Sequence, residues 1–408
     1  MDTITHGIAG ALIGKALFRG QDMFSRRPLS RGRIITWSLM LGAIFPDSDV
    51  VRDIFSRNDL LVITWHRSIT HSLVCLPIFA LALAGLTHAL VRWRKWDSPS
   101  FWPLTGIYAV GILSHILLDL VTSFGTMIWS PLKWSRPAWD LIFIVDFTLT
   151  ALVLVPQVAA WVYSRGEGLQ RRALACWFVF AAGTLGVAGI AQSVSAPISL
   201  RAILIVVVIL TGVFLLPAIR NWGLEVQLAS WNRAGLAAAL GYIALAIYAH
   251  HAALVRVDDF ASRLRLEVQS RGALPFPPSL LNWDGLVLTP RGVYEMRMDL
   301  SGGPATAQAA STTADTTTER TALTYRFYPD APENSYIEAA RRLPEVQKVL
   351  WFSRFPVTRF RKEGEQAVVE ISDLRFPQIR PDRPASFTYR VRFDAGGTVL
   401  SRGWVRPR

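Results

Sequence analysis

The chain has 408 residues, room for two domains, with 51% hydrophobic residues and 15 tryptophans, and a mean hydropathy of +0.31. This excludes an ordinary soluble protein, because the apolar residues come in blocks long enough to cross a bilayer. The formal net charge of +13 does not mark a nucleic-acid binder: much of it lies in short loops between apolar runs, as the positive-inside rule expects, and the C-terminal part mixes both signs without a basic run.

In chain order, Ile4–Phe18 is apolar but only about 22 Å long as a helix, so it reads as a half-span or a buried helix. It lacks the basic leader of a secretory signal peptide. Spanning segments are expected at Ile34–Phe45, Ser72–Val91, Phe101–Val121, Trp139–Tyr163, Ala173–Gln192, Ile203–Ile219 and Ala234–Leu254. Cys75 and Cys176 lie within these runs, which argues against a disulfide framework or a thiolate metal site. Trp129, Trp134 and Trp139 fit an interfacial aromatic belt. After Leu254 the texture changes. Val293–Met298, Thr324–Tyr328 and Ser386–Val391 alternate as half-buried strands do, Ser335–Leu343 reads as one helix, and Ser301–Glu319 as a loose loop. The expected fold is a polytopic α-helical membrane protein of about seven spans plus a short N-terminal helix, with a C-terminal β-rich α+β domain. Residues 1–150 would form a membrane-embedded metal-site core, 151–255 further transmembrane helices, and 256–408 an extracytoplasmic domain.

Loop charge gives an orientation. Arg19, Arg26, Arg27, Arg31 and Arg33 share one side with Arg92, Arg94 and Lys95, with Arg165, Arg171 and Arg172, and with Arg220 and Arg233. The opposite loops carry fewer: Arg52, Arg57 and Arg67 in one, Lys133 and Arg136 in another. The richer side is the expected cytoplasmic one. His6, Asp47, Asp49, His66, His71, His115 and Asp119 then all fall on the other face, together with the C-terminal domain.

These seven are the candidate metal ligands. His115 and Asp119 are spaced i, i+4 in Ser114-His115-Ile116-Leu117-Leu118-Asp119, so both point from one helix face inside an apolar span, where a polar side chain marks function by default. Each group also has a structural reading. His115 with Asp119 would serve as a helix-packing pair, Asp47 and Asp49 as a turn after Pro46, and His66 and His71 as loop residues with Thr70 as a helix cap. His6 is weak alone, since Thr3 or Thr5 would merely cap a helix. His88 is excluded, roughly 25 Å along its helix from His71; His250 and His251 read as interfacial. Asp146 is a candidate to orient a ligand histidine, or to pair with Arg67 or Lys133. Thr122 and Ser123, in Thr122-Ser123-Phe124-Gly125-Thr126, form a helix-ending turn whose hydroxyls and amides would also suit a phosphate.

Histidine and carboxylate without cysteine suit zinc, with manganese and iron as alternatives. Seven ligands exceed one ion's needs, and two ions bridged by a carboxylate would employ them all, with Asp119 as the bridge. Asp119 and Asp49 are the candidate catalytic carboxylates.

The segments Met1-Asp2-Thr3-Ile4-Thr5-His6-Gly7, Pro46-Asp47-Ser48-Asp49, His66-Arg67-Ser68-Ile69-Thr70-His71-Ser72 and His115-Ile116-Leu117-Leu118-Asp119 through Thr126 resemble the successive motifs of the YdjM-like membrane-bound metal-dependent hydrolases. The resemblance covers Met1–Asp146 closely. Longer members are similar in the remaining spans and in Trp351-Phe352-Ser353-Arg354-Phe355-Pro356. The family distantly resembles zinc-dependent phospholipases C and single-strand nucleases, which implies His6, Asp47, His66 or His71, His115 and Asp119 as ligands. Those enzymes complete a third site with further His and Glu, and this chain offers no matching cluster, so the resemblance implies two ions. The expected activity is hydrolysis of a lipid-linked or headgroup phosphate at the outer face of the inner membrane. The alternative is a non-catalytic protein with a structural metal, or a divalent-metal transporter, for which the later spans offer few polar residues. An intramembrane metalloprotease is disfavoured because no His-Glu-x-x-His occurs.

Overall fold

The computed structural model describes residues 1–18, 20–21, 30–56, 58–193, 198–277, 279–301, 325–376 and 387–405. Arg19, Arg26, Arg27 and Arg57 of the charge pattern, and nearly all of the expected Ser301–Glu319 loop, lie outside the described residues.

Helix α1 (Thr3–Leu17) starts at Asp2, whose carboxylate accepts the Thr5 amide at 2.9 Å. It is a buried helix, packed against α2 (Arg31–Ile44), α6 (Phe101–Leu120), α7 (Phe147–Val162) and α11 (Leu228–Arg263). Close approach depends on glycine. A Cβ on Gly10 would lie 2.6 Å from the Leu39 carbonyl oxygen, and one on Gly111 of α6 would meet the same oxygen at 2.7 Å. The three backbones thus converge on one point of α2. Past Ile44 the chain continues as a 3₁₀ turn, Phe45–Asp49, and α3 (Val50–Phe55). The span begun by α2 therefore extends over Arg31–Arg52, beyond the expected Ile34–Phe45.

The short α4 (Leu61–Thr64) and a 3₁₀ turn at Ile69–His71 lead to α5 (Leu76–Arg94). This helix begins four residues later than expected, because Ser72 is held outside it: its hydroxyl donates to the Ser130 carbonyl and accepts from the Val74 amide. The fourth expected span is also shorter, since Trp139–Asp146 is not helical. The amides of Trp139 and Leu141 both bond carbonyls at the end of α6, at 2.8 Å to Leu120 and Val121 respectively. Asp140 between them is left-handed at φ 55°, and α7 begins only after Asp146, which caps it. Then come α8 (Leu169–Ser193), α9 (Leu200–Phe214), α10 (Leu216–Ile219) and the 36-residue α11. Among the described residues, six helices are long and apolar enough to cross a membrane: Arg31–Arg52, α5, α6, Leu169–Gln192, Leu200–Ile219 and α11. The 16-residue α7 is a shorter apolar helix. With it, the membrane part fits the expected polytopic architecture.

α11 continues without a break through Leu254 into the C-terminal domain, where Ala253, Val257 and Phe260 join Trp283, Val287 and Met296 in one core. That domain contains two four-stranded antiparallel meanders. The first is β1 (Ser270–Phe276), β2 (Asn282–Thr289), β3 (Gly292–Asp299) and β4 (Tyr325–Pro329). The second is β5 (Pro356–Glu363), β6 (Gln366–Asp373), β7 (Thr388–Phe393) and β8 (Val399–Trp404). Of the three alternating segments, Val293–Met298 falls in β3, Tyr325–Tyr328 in β4 and Thr388–Val391 in β7, while Thr324 and Ser386 lie outside the described residues. The expected helix is α12 (Ser335–Arg342), and a second, α13 (Pro344–Phe352), follows it. Leu274, Leu286 and Val293 of the first sheet pack on Val357 of the second and on Phe355 and Leu374 beside it. α12, α13, β6 and β7 bury Leu60, Ile63 and Phe124 of the membrane part in their core. The domain therefore rests on the loops that carry the candidate ligands.

Candidate metal centre

α6 delivers two ligands from one face. His115 and Asp119 both have 0% exposure, and His115 Nε2 lies 3.5 Å from Asp119 Oδ2. Asp47, in the 3₁₀ turn after α2, brings Oδ1 to 3.5 Å from His115 Nε2. His71 closes the set: its Nε2 is 3.0 Å from His115 Nε2, 3.3 Å from Asp119 Oδ2 and 3.7 Å from Asp47 Oδ1. One ligand atom from each of the four lies within 4.8 Å of all the others.

The other ring nitrogens indicate what this set accepts. His115 Nδ1 is 2.6 Å from the Ala43 carbonyl oxygen, an acceptor only, so Nδ1 carries the proton and Nε2 presents a lone pair. His71 Nδ1 lies 3.0 Å from the Thr70 hydroxyl and 3.4 Å from Asp49 Oδ2, the carboxylate–histidine arrangement that orients metal ligands. Asp119 Oδ2 is buried and has no aligned hydrogen bond. Two imidazoles facing at 3.0 Å, two carboxylates and an orphaned oxygen fit a divalent cation. The local potential agrees. Burial disfavours charge on the His71 ring, but hydrogen bonds with Asp119, Asp47 and Asp49 outweigh it and raise its pKa to about 9.

The remaining candidates surround this group. Asp49 is 5% exposed, and its oxygens are taken by His66 Nδ1 at 2.9 Å, the Arg67 amide at 2.9 Å and the Thr70 hydroxyl at 3.1 Å. Asp49 and His66 thus bond each other outside the four-ligand group. Thr70, read as a possible cap, instead holds Asp49. His6 stacks on His115 at 3.7 Å and places Nε2 3.2 Å from Asp119 Oδ1, while its Nδ1 is buried without a partner. The Met1 amino group also contacts Asp119 Oδ1. Among the described residues one such ligand group forms, from Asp47, His71, His115 and Asp119. Thr122 reaches the centre through Arg67, whose Nη1 donates to its hydroxyl at 3.0 Å. The Ser123 carbonyl accepts from Arg375 Nη1 at 3.0 Å.

Asp146 is placed elsewhere, and it contacts neither a ligand histidine nor Arg67 or Lys133. Its carboxylate accepts from Tyr242 at 2.7 Å, Ser279 at 2.6 Å and the Leu149 amide at 2.9 Å, tying α7 to α11 and to the β1–β2 connection. His88 packs on Phe101, and His250 on Trp283, both apart from the group. The residue that sequence reasoning missed is Arg67, counted there only as loop charge and as a possible partner of Asp146. Its Nε lies 2.9 Å from Asp119 Oδ2. Its position beside His66 within a ligand-bearing segment was the available signal.

Residues 1–195 match the family model described as YdjM inner membrane protein. No curated protein and no solved structure matches the chain. The resemblance read from the four motifs therefore holds over residues 1–195, and the match together with six spanning-length helices makes this a multi-pass inner-membrane protein.

Proposed function

We propose that this YdjM-type protein is a membrane-bound, metal-dependent hydrolase of phosphoesters, acting on a lipid-linked or headgroup phosphate. The observation that carries the reading is the convergence of His71 Nε2, His115 Nε2, Asp47 and Asp119 within 4.8 Å. A divalent ion held there supplies Lewis acidity toward a phosphoryl oxygen and a more acidic water. Two imidazoles and two carboxylates suit zinc first, then manganese or iron. The chain's own contribution is preorganisation. Ala43 and Asp49 fix the two histidine tautomers, α6 fixes His115 relative to Asp119, and the fold excludes bulk water from three of the four ligands. Asp47, whose side chain keeps 11% exposure, is the least buried of the four and marks the side nearest to substrate. Asp119 is the central carboxylate, with Oδ1 toward His6 and Oδ2 toward His71 and His115. Loop charge supports an extracytoplasmic centre and C-terminal domain. A reporter fused after Arg408 that reads as cytoplasmic would overturn that orientation.

The competing reading, a structural metal, draws on the complete burial of His71, His115 and Asp119. Elemental analysis of the purified full-length protein, joined to a screen of phosphodiesters and phospholipids with zinc or manganese, separates the two. Hydrolysis that disappears in Asp119→Asn supports the enzyme. Folded, metal-loaded protein that turns over no phosphoester leaves the structural role.

A further inference from the structure

We propose that Arg67 binds a tetrahedral oxyanion, its guanidinium Nε donating to a non-bridging oxygen of a phosphate group seated against the metal centre. The inference rests on the metal reading of the site but not on hydrolysis. Arg67 is 2% exposed, and its Nε and Asp119 Oδ2, although 2.9 Å apart, are each without an aligned hydrogen bond. The two form a buried ion pair that leaves each atom short of an aligned hydrogen-bond partner. For Asp119 Oδ2 that further partner is the cation. Once a cation takes this oxygen, it and the guanidinium become two positive groups sharing one carboxylate. An anion that touches both relieves the repulsion and satisfies Nε.

The surrounding arginines show that this is not how the fold ordinarily uses the residue. Arg136 spends Nε, Nη1 and Nη2 on the carbonyls of Gly125, Ile63 and His66. Arg375 spends its own on Asp373, Ser123 and Phe352. Among the described residues, Arg67 makes one aligned side-chain bond, from Nη1 to Thr122 at 3.0 Å, and the guanidinium carbon lies 5.0 Å from the centre of the Phe124 ring. Those two contacts orient the fork and leave Nε facing the metal ligands. The backbone is set for the same purpose. Arg67 has φ 60°, a left-handed conformation unusual for a side chain of this size. Asp49 accepts its amide, and its carbonyl accepts the Met127 amide, each at 2.9 Å. Strain held by such contacts clusters at ligand clamps. A planar, permanently charged fork is the side chain suited to phosphate.

The test uses full-length, zinc-loaded protein in a neutral detergent, titrated calorimetrically with orthophosphate in one arm and dioctanoyl phosphatidic acid in the other. Wild type should bind in at least one arm, and the tighter arm tells a free phosphate from a lipid headgroup. Arg67→Gln should weaken that binding about 10- to 100-fold, the worth of a charge-assisted hydrogen bond, while zinc per chain stays unchanged. Arg67→Lys should recover part of the loss. If Arg67→Gln does not accumulate, Thr122→Val, which removes the Nη1 acceptor, should weaken phosphate binding with zinc retained. Equal binding by wild type and variants, or no binding by wild type in either arm, overturns the proposal. Phosphate binding through Arg67 without any turnover would instead remove only the hydrolase reading.

Discussion

Replacing Asp49 by Asn tests whether this carboxylate orients a ligand or is one. In the structure it holds four donors: His66 Nδ1 and the Arg67 amide at 2.9 Å, the Thr70 hydroxyl at 3.1 Å and His71 Nδ1 at 3.4 Å. An amide of the same shape keeps one acceptor oxygen, loses the charge, and turns an NH₂ toward groups that are themselves donors. The His71 ring then loses the partner that fixes its tautomer and aim. Removing such an orienting partner weakens metal binding about 10- to 100-fold, or about 1.4 to 2.7 kcal/mol. Zinc per chain at saturation should stay at the wild-type value, because the four ligand atoms are untouched. His115→Ala removes a ligand itself and should lower zinc per chain even at saturation. Competition against a chromophoric chelator gives the affinity, and elemental analysis after desalting gives the stoichiometry. Asp49→Asn losing zinc as completely as His115→Ala would make Asp49 a ligand, and an unchanged affinity would deny it the orienting role.

Asp119→Asn should likewise lower zinc per chain, whereas Asp146→Asn should leave it unchanged and lower the unfolding temperature: asparagine keeps an oxygen to cap α7, but its NH₂ replaces the oxygen that accepts from Tyr242 and Ser279, at a cost of about 1–3 kcal/mol; zinc loss in Asp146→Asn would contradict the placement. Arg375→Met strands the buried Asp373 carboxylate and frees the Ser123 carbonyl. The cost is about 3–5 kcal/mol, read as faster amide hydrogen exchange over residues 122–130, and exchange at the wild-type rate would count against the contact. Asp284 in β2 is buried, which raises its pKa to about 6 despite Arg297. An acid raised in the folded state binds more protons folded than unfolded between pH 3.8 and 6, so stability falls as pH rises through that window. Asp284→Asn should therefore be more stable than wild type at pH 7, by at most about 3 kcal/mol, with the gap closing by pH 4. A gap independent of pH would show that Asp284 does not titrate there.

Local pattern alone located the long apolar helices, three of the strands, the ligand types and the i, i+4 pairing of His115 with Asp119, because these depend on backbone periodicity and on the cost of polar groups in apolar runs. It carried less where tertiary bonds compete with the helix. Trp139–Asp146 is apolar enough to continue α7, yet its amides bond the end of α6 instead. The choice among neighbouring ligands also belonged to the tertiary structure. Asp47 and Asp49 are two residues apart in a 3₁₀ turn of three residues per turn, so they leave it in different directions, one toward His115 and the other toward His66. Composition ranks the two equally. His66 and His71 are separated in the same way, by a chain reversal whose left-handed residue is Arg67. Arg67 itself reads as loop charge until Thr122, Phe124 and Asp119, more than fifty residues away, close around it. Residues that distant meet only when α1, α2 and α6 pack on Gly10 and Gly111 and bring their ends together, and sequence spacing does not encode that meeting.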